Sequence, residues 1–227
     1  MIDHKHKNQD IWIIIPCYNE EATIARVVTQ IFAIIPNIVV VDDASLDNSL
    51  AMLKGMPVEI IHNNVNLGYL KSVGKGLRYA FSHNATYAIT FDADGQHQAK
   101  DLDKFLDIIN TNAPDLILGK RSFKNRLTEV IFSLYTKSAY NISDPFCGFK
   151  AYKKYFFQKM GSKLESHYTI GLENIIKTLT RYPTVFEEVA LSTSKRQDES
   201  RFAGRVYGNY LELKAALNLL WYSRASR

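Results

Sequence analysis

The chain has 227 residues, 46% of them hydrophobic and 22% charged, with a formal net charge of +5. That is the make-up of a globular protein with a full core, of a size for one α/β domain with a small extension. Cys17 and Cys147 form neither a disulfide framework nor a zinc spacing, so a reducing cytosol is the expected compartment.

Residues Met1 to Asp10 are polar and carry no apolar h-region, so no signal peptide is expected. Nor is a membrane span expected, because no run of 18 apolar residues occurs. Ile11 to Ile15 is a continuous apolar run, the pattern of a strand buried on both faces of a parallel sheet. Pro16-Cys-Tyr-Asn-Glu20 stops it, and a helix is expected from about Glu21 to Ala33 with Asn19 as its cap. Ile38 to Val41 reads as a strand ending in Asp42-Asp43, Ser45 to Leu53 as a short helix, and Pro57 to Ile61 as a third strand. After Asn66-Leu-Gly68 the spacing predicts a helix over Leu70 to Ser82, with Leu70, Val73, Leu77 and Phe81 on one face. Tyr87 to Phe91 is a buried strand that breaks into Asp92-Ala-Asp94-Gly95-Gln96. A helix then starts near Lys100 and runs to about Ile109, and Leu116 to Leu118 adds a strand.

The second half is less regular. Leu127 to Ala139 reads as a helix, and Asp144 to Tyr152 as a turn followed by a short strand. Tyr168 to Arg181 is a helix, Thr184 to Leu191 a strand, and Ser192 to Arg205 a cationic loop. Tyr207 to Tyr222 closes the chain as an amphipathic helix with Leu211, Ala215, Leu219 and Tyr222 on one face. Strands alternating with helices predict an α/β fold with a Rossmann-like, mostly parallel central sheet and helices on both faces.

Three strand ends carry acids or polar groups: Pro16 to Glu20, Asp42-Asp43, and Asp92 to Gln96. In a parallel sheet all three open on one edge, where ligands bind. Carboxylates at i and i+2 can converge on magnesium or manganese, which take oxygen ligands and are commonly completed by phosphate oxygens. The plainer reading makes Asp92 and Asp94 caps of the helix near Lys100, and Asp43 an Asx-type cap before Leu46. Tyr18 could stack on a base or fill the core, and His97 could approach a diphosphate or sit solvated in its turn. The spacing argues against an EF-hand, because counting from Asp92 puts His97 where Gly is required and Asp103 where Glu is required. No Gly-x-Gly-x-x-Gly follows the first strand, which argues against a dinucleotide oxidoreductase. Gly74-Lys75 imitates a phosphate loop, but Tyr69 stands where the first Gly belongs and Gly76 replaces Ser/Thr. Lys and Arg concentrate in residues 120–126 and 195–205, which favours a local anionic ligand over a general coat, and no nucleic acid is expected.

Read in order, Pro16-x-Tyr18-Asn19-Glu20, Val40-Val-Asp-Asp-Ala-Ser45, Asn66-x-Gly68 and Phe91-Asp-Ala-Asp-Gly-Gln-His97 resemble a family 2 glycosyltransferase of GT-A fold. Gly119-Lys-Arg121 and Asp144-Pro-Phe-Cys-Gly-Phe-Lys150 resemble the polyprenyl-phosphate sugar synthases, the branch with dolichyl-phosphate mannose and glucose synthases. The resemblance implies a polar extension over residues 1–10, a glycosyltransferase domain over 11–205 and a C-terminal helix over 206–227.

It also implies roles. Pro16, Tyr18, Glu20, Asp43 and Asp92 would hold a GDP- or UDP-sugar. Asp92, Asp94 and Gln96 would hold Mg2+ or Mn2+ under the diphosphate, with Asp94 foremost. Arg121 and the loop carrying Lys195-Arg196 and Ser200-Arg201 would neutralise phosphate on donor or acceptor; Arg201 stands where the related synthases have Lys. A lipid phosphate needs no general base, whereas a saccharide or other hydroxyl acceptor would, with Glu173 the best placed and otherwise an exposed helix residue. The expected enzyme inverts the anomeric centre at the cytosolic face of a membrane. Peripheral contact would come from Trp221 to Arg227, unless that helix packs on the core. The Pro pair usual after Gln-His is Gln98-Ala99 here, and the segment from Arg126 to Asp144 is short for that branch. A haloacid-dehalogenase-type phosphatase also places Asp-x-Asp after a strand, but its motif follows the first strand and expects Thr or Val where Gln96 stands.

Overall fold

The computed structural model describes residues 10–122, 127–161 and 171–192. In chain order the elements are β1 (Ile11–Cys17), α1 (Ile24–Phe32), β2 (Ile38–Asp42), α2 (Ser49–Met52), β3 (Glu59–His62), α3 (Tyr69–Ser82) and β4 (Tyr87–Thr90). They continue as α4 (Asp101–Thr111), β5 (Leu116–Arg121), α5 (Leu127–Tyr140), β6 (Lys150–Lys153), α6 (Lys154–Met160), α7 (Leu172–Arg181) and β7 (Phe186–Leu191).

The strands form one seven-stranded sheet in the order β3-β2-β1-β4-β6-β5-β7. β1 pairs in parallel with β2 and β4, β2 with β3, and β5 with β7, while β6 runs antiparallel to both β4 and β5. β1 lies centrally because its side chains have a core on each side. Ile13 and Ile15 pack with Ile24, Val28 and Ile31 of α1 and Leu102 and Phe105 of α4. Ile14, one residue out of phase, packs with Val73, Leu77 and Ala80 of α3. Full burial of a side chain of this size contributes about 1.5–3 kcal/mol, so the run of three isoleucines is decisive for the strand's place.

The helix α3 approaches β1 closely at Gly76, where a Cβ would meet Ile14 Cγ2 at 2.2 Å. The Gly74-Lys75-Gly76 sequence is therefore a packing device inside a helix, as its position suggested. The predicted mostly parallel α/β sheet is observed. α1 starts later than expected: Asn19 has φ +56° and does not cap it, and the carbonyl of Glu20 accepts the N–H groups of Thr23 and Ile24 instead. α2 is shorter than predicted because Asp47 accepts both the N–H and the hydroxyl of Ser49 in a local turn. The short helix α6 was not anticipated. Residues 1–9, the predicted cationic loop from residue 193 and the predicted C-terminal helix over 206–227 lie outside the described residues. Among those described, no helix is long and apolar enough to cross a membrane.

Candidate active site

The carboxyl ends of β1, β2 and β4 open side by side, and antiparallel β6 begins at the same edge, with Lys150 paired to Thr90. Side chains knit these ends together. At the end of β1, the N–H groups of Asn19, Glu20 and Glu21 donate to Ser45 Oγ, Ser49 Oγ and Asp47 Oδ2, in the loop after β2 and at the start of α2. Asn19 Oδ1 accepts the N–H of Leu46 at 2.7 Å in return. Asn19 is thus a bridge between two strand ends. Pro16 lies within β1, Tyr18 is half-buried just beyond it, and the buried Glu20 accepts the Thr23 hydroxyl at 3.1 Å.

Asp42 and Asp43 are both buried at the end of β2. Asp42 Oδ2 lies 2.8 Å from His62 Nδ1 and accepts the Ser45 N–H, whereas Oδ1 is buried and has no hydrogen-bond partner among the described residues. Asp43 reaches forward. Its Oδ1 accepts the Asn63 amide and the Leu67 N–H, and its Oδ2 accepts the Gly68 N–H, each at 2.8 Å. This carboxylate shapes the 63–68 loop; it is not an Asx cap before Leu46.

At the end of β4, Asp92 Oδ1 accepts the Tyr69 phenol at 2.9 Å and Oδ2 lies 3.3 Å from His97 Nε2. A quarter of the Asp92 side chain stays exposed. Burial by itself would raise its pKa, but the hydrogen bonds of His97 and Tyr69 and the charge of Lys150 outweigh that and hold it below the usual carboxylate range. Burial and the adjacent Asp92 charge push the Tyr69 phenol well above its ordinary value, so it remains a proton donor. His97 is neither solvated nor turned outward. It is buried edge-on to Phe91 and Phe149, with Phe149 stacked on Phe105 at 4.3 Å, and it buttresses Asp92 from behind.

The half-buried Asp94 accepts the N–H of Gln96 at 2.9 Å, closing the turn that carries both residues along the edge. Neither aspartate caps α4, whose first turn has its own acids, Asp101 and Asp103. The donor set fits a hard cation completed by a diphosphate. Among the described residues no three His, Cys, Asp or Glu side chains could hold a metal by themselves, and Mg2+ or Mn2+ characteristically takes one or two carboxylates plus phosphate oxygens and water.

The Asp144-to-Lys150 turn forms the opposite wall. Asp144 is fully buried and bidentate to Arg121, from Nε at 2.8 Å and Nη2 at 2.9 Å, and also accepts the Arg121 N–H. Arg121 Nη2 donates to Glu129 as well, at 2.9 Å. Two carboxylates therefore flank the guanidinium, and Nη1 takes part in none of these bonds. Gly148 lies directly against Asp92: a Cβ there would stand 2.2 Å from Oδ2 and 2.5 Å from Oδ1. The buried Lys150 donates to the Cys147 carbonyl; burial lowers its pKa, opposed by neighbours that include Asp144 and Asp92. Cys147 is core packing, its thiol pushed up to about 12 chiefly by burial.

Glu173, in the first turn of α7, is paired with Lys177 one turn on. Arg196 and Arg201 lie outside the described residues. Sequence reasoning brought Tyr18, Asp43, Asp92, Asp94 and Gln96 to one edge but gave no role to Tyr69, Gly148 or Lys150. The available signals were Tyr69 directly after Asn66-Leu-Gly68, and the place of Gly148 and Lys150 in the Asp144-to-Lys150 motif.

Residues 12–162 match the family described as Glycosyl transferase family 2. A UDP-N-acetylglucosamine–dolichyl-phosphate N-acetylglucosaminyltransferase of Methanococcus voltae is 31% identical over 186 residues, covering 69% of this chain and 74% of that protein. A polyprenol monophosphomannose synthase of Mycolicibacterium smegmatis is 28% identical over 172 residues, 65% of this chain and 63% of that protein. Among solved structures, glucosyl-3-phosphoglycerate synthase of Mycobacterium tuberculosis, in complex with Mn2+, UDP and glucosyl-3-phosphoglycerate, superposes with a TM-score of 0.73. That pair shares 16% identity over 94% of this chain and 80% of the other, a likeness of GT-A fold alone.

Proposed function

The chain belongs to glycosyl transferase family 2 and is a glycosyltransferase, and on that premise we propose that it moves a sugar from a UDP- or GDP-sugar to a polyprenyl phosphate, with inversion and with Mg2+ or Mn2+. The observation that carries this reading is the meeting of the Asp92-to-Gln96 turn with the acid-bearing ends of β1 and β2 on one sheet edge.

Asp94 is the foremost ligand for the cation, with Gln96 beside it and Asp92 using lone pairs that Tyr69 and His97 leave available. The cation would supply Lewis-acid compensation for the charge that develops on the departing nucleoside diphosphate. Tyr18, Pro16 and Glu20 form the rim on which the nucleotide rests, and Asp43 acts by setting the backbone of Leu67 and Gly68. Arg121 is held rigidly by Asp144 and Glu129, so a phosphate would meet a preorganised guanidinium through Nη1. Arg196 and Arg201 would add charge from the segment that follows β7 in the chain.

Two observations favour a lipid phosphate over a hydroxyl acceptor. Glu173, the best-placed general base in the sequence, is paired with Lys177, and a phosphate oxygen needs no base. The helix α5, which follows Arg121, exposes Val130, Ile131 and Leu134 on one face, an apolar surface suited to a polyprenyl chain or the membrane holding it. The same surface would give the enzyme a peripheral seat at the cytosolic membrane face. Gly119 to Arg121 and Asp144 to Lys150, which build this wall, are the segments that resemble the polyprenyl-phosphate sugar synthases in sequence, and the chain's relatives include a dolichyl-phosphate N-acetylglucosaminyltransferase and a polyprenol monophosphomannose synthase.

The test is a donor screen by thermal shift in Mn2+. A ligand that binds only the native state at about 100 times its Kd stabilises it by about 2.7 kcal/mol. One nucleotide sugar should raise the melting point with Mn2+ and much less with EDTA. A set of UDP- and GDP-sugars that all leave it unmoved would overturn the donor site.

A further inference from the structure

Tyr69 is the first residue of α3, and its phenol donates to Asp92 Oδ1 across 23 residues of sequence. The residue just before it, Gly68, donates its N–H to Asp43 Oδ2, and Leu67 donates to Asp43 Oδ1. The other end of this loop is fastened as well. Asn63 gives its amide to Asp43 and Ser72, and its own oxygen accepts Lys75 Nζ at 2.5 Å. Residues 63–69 thus form a strap, pinned by Asp43 at the end of β2 and reaching Asp92 at the end of β4. Helix formation does not explain a tyrosine at this position, since aromatic residues lose side-chain freedom in helices. Packing explains the ring, which lies against the α3 core, but not the hydroxyl aimed at a carboxylate.

We propose that Tyr69 is a positioning residue of the donor site, holding Asp92 in register with the Asp43-anchored strap so that cation and diphosphate meet one prearranged edge. The proposal rests on the reading of Asp92 and Asp94 as the cation-holding pair. The chemistry is that of an outer partner of a ligating carboxylate. A carboxylate braced on one oxygen only can swing, and loss of such a partner typically weakens metal affinity about 10- to 100-fold. His97 braces the other oxygen but leads back into the aromatic core, so Tyr69 is the brace that connects Asp92 to the nucleotide side of the edge.

The experiment uses the full chain and the variant Tyr69→Phe, which keeps the ring and removes only the hydroxyl. UDP and GDP are each titrated by calorimetry with saturating Mn2+ and with EDTA, and Mn2+ is then titrated at saturating levels of the tighter nucleotide. Tyr69→Phe is expected to weaken Mn2+ binding about 10- to 100-fold while leaving nucleotide affinity in EDTA unchanged. In an Asp92→Asn background the same substitution is expected to change Mn2+ binding by less than about twofold, as for two residues acting through one contact. Superimposable Mn2+ titrations for wild type and Tyr69→Phe would overturn the proposal. So would an equal loss in the Asp92→Asn background, which would make the hydroxyl a general structural element. Wild-type binding that ignores Mn2+ would instead remove the cation site itself, and the proposal with it, before any variant is made.

Discussion

Gly148→Ala adds one methyl group at the point where the Asp144-to-Lys150 turn touches the donor edge. The new Cβ would lie 2.2 Å from Asp92 Oδ2, 2.5 Å from Oδ1 and 2.6 Å from Cγ. Carbon and oxygen settle at about 3.3 Å or more, so the carboxylate or the turn must retreat by about 1 Å. Asp92 has little room to do so, because Tyr69 holds one oxygen at 2.9 Å and His97 lies 3.3 Å from the other. The turn is equally fixed, since the Gly148 carbonyl accepts the Thr90 hydroxyl at 2.5 Å and the Cys147 carbonyl accepts Lys150. Overpacking of this kind costs about 1–3 kcal/mol, and each hydrogen bond lost from a charged group about 1.5–3 kcal/mol. With partial solvent access to Asp92 relieving some of that, the expected loss is about 3 kcal/mol, or about 6–12 °C in melting point for a chain of this size. Differential scanning fluorimetry reads the stability, and calorimetry of UDP with Mn2+ reads the site, where cation affinity should fall at least about tenfold. A variant that melts with the wild type and binds Mn2+ equally would refute the claim that Gly148 and Asp92 are in contact.

Three further outcomes follow from the same geometry. Asp144→Ala strips Arg121 of its bidentate partner in a buried setting and should destabilise the protein by about 3–5 kcal/mol in urea titrations. The buried thiols Cys17 and Cys147 are each raised from 9.0 to about 12, so the fold favours their neutral form. Their contribution is complete below pH 9 and is lost as pH rises from 9 toward 12; Cys147→Ala should flatten that decline, and DTNB should titrate both thiols only in denaturant. On α5, the double variant Ile131→Asp, Leu134→Asp should raise KM for polyprenyl phosphate at least about tenfold and abolish flotation with vesicles, with KM for the nucleotide sugar unchanged. Unaltered lipid kinetics would detach that face from the acceptor.

The sequence disclosed what is locally periodic. A run of three buried isoleucines, strands ending in acids and helices of regular spacing are properties of neighbouring residues, and they placed β1, β2, β4 and the Asp92-to-Gln96 turn correctly. The remainder depends on contacts distant in the chain. Asp43 read either as a local cap or as a donor-binding acid, because nothing nearby shows that its acceptors face Leu67 and Gly68, 24 and 25 residues on. Gly148 read as a turn glycine, although its reason is Asp92, brought alongside by the antiparallel pairing of β6 with β4. For His97 the sequence left two readings, approach to a diphosphate or solvation in its turn, because its aromatic cradle combines Phe91 with Phe149, from two different strand ends. Arg121 offered a free cation in sequence, whereas in the fold two acids from later segments already surround it.

On the proposed reading, Asp94 and Asp92 serve a cation beneath the diphosphate of a sugar donor that is discharged onto a lipid phosphate. Release of nucleoside diphosphate from the donor identified by thermal shift, followed with and without polyprenyl phosphate, Mn2+ and EDTA, measures it most directly. Release should require both acceptor and Mn2+ and should fall at least about 100-fold in Asp94→Ala, the scale set by removing a single electrostatic stabiliser. Full release in EDTA, or an Asp94→Ala enzyme as fast as the wild type, would contradict it.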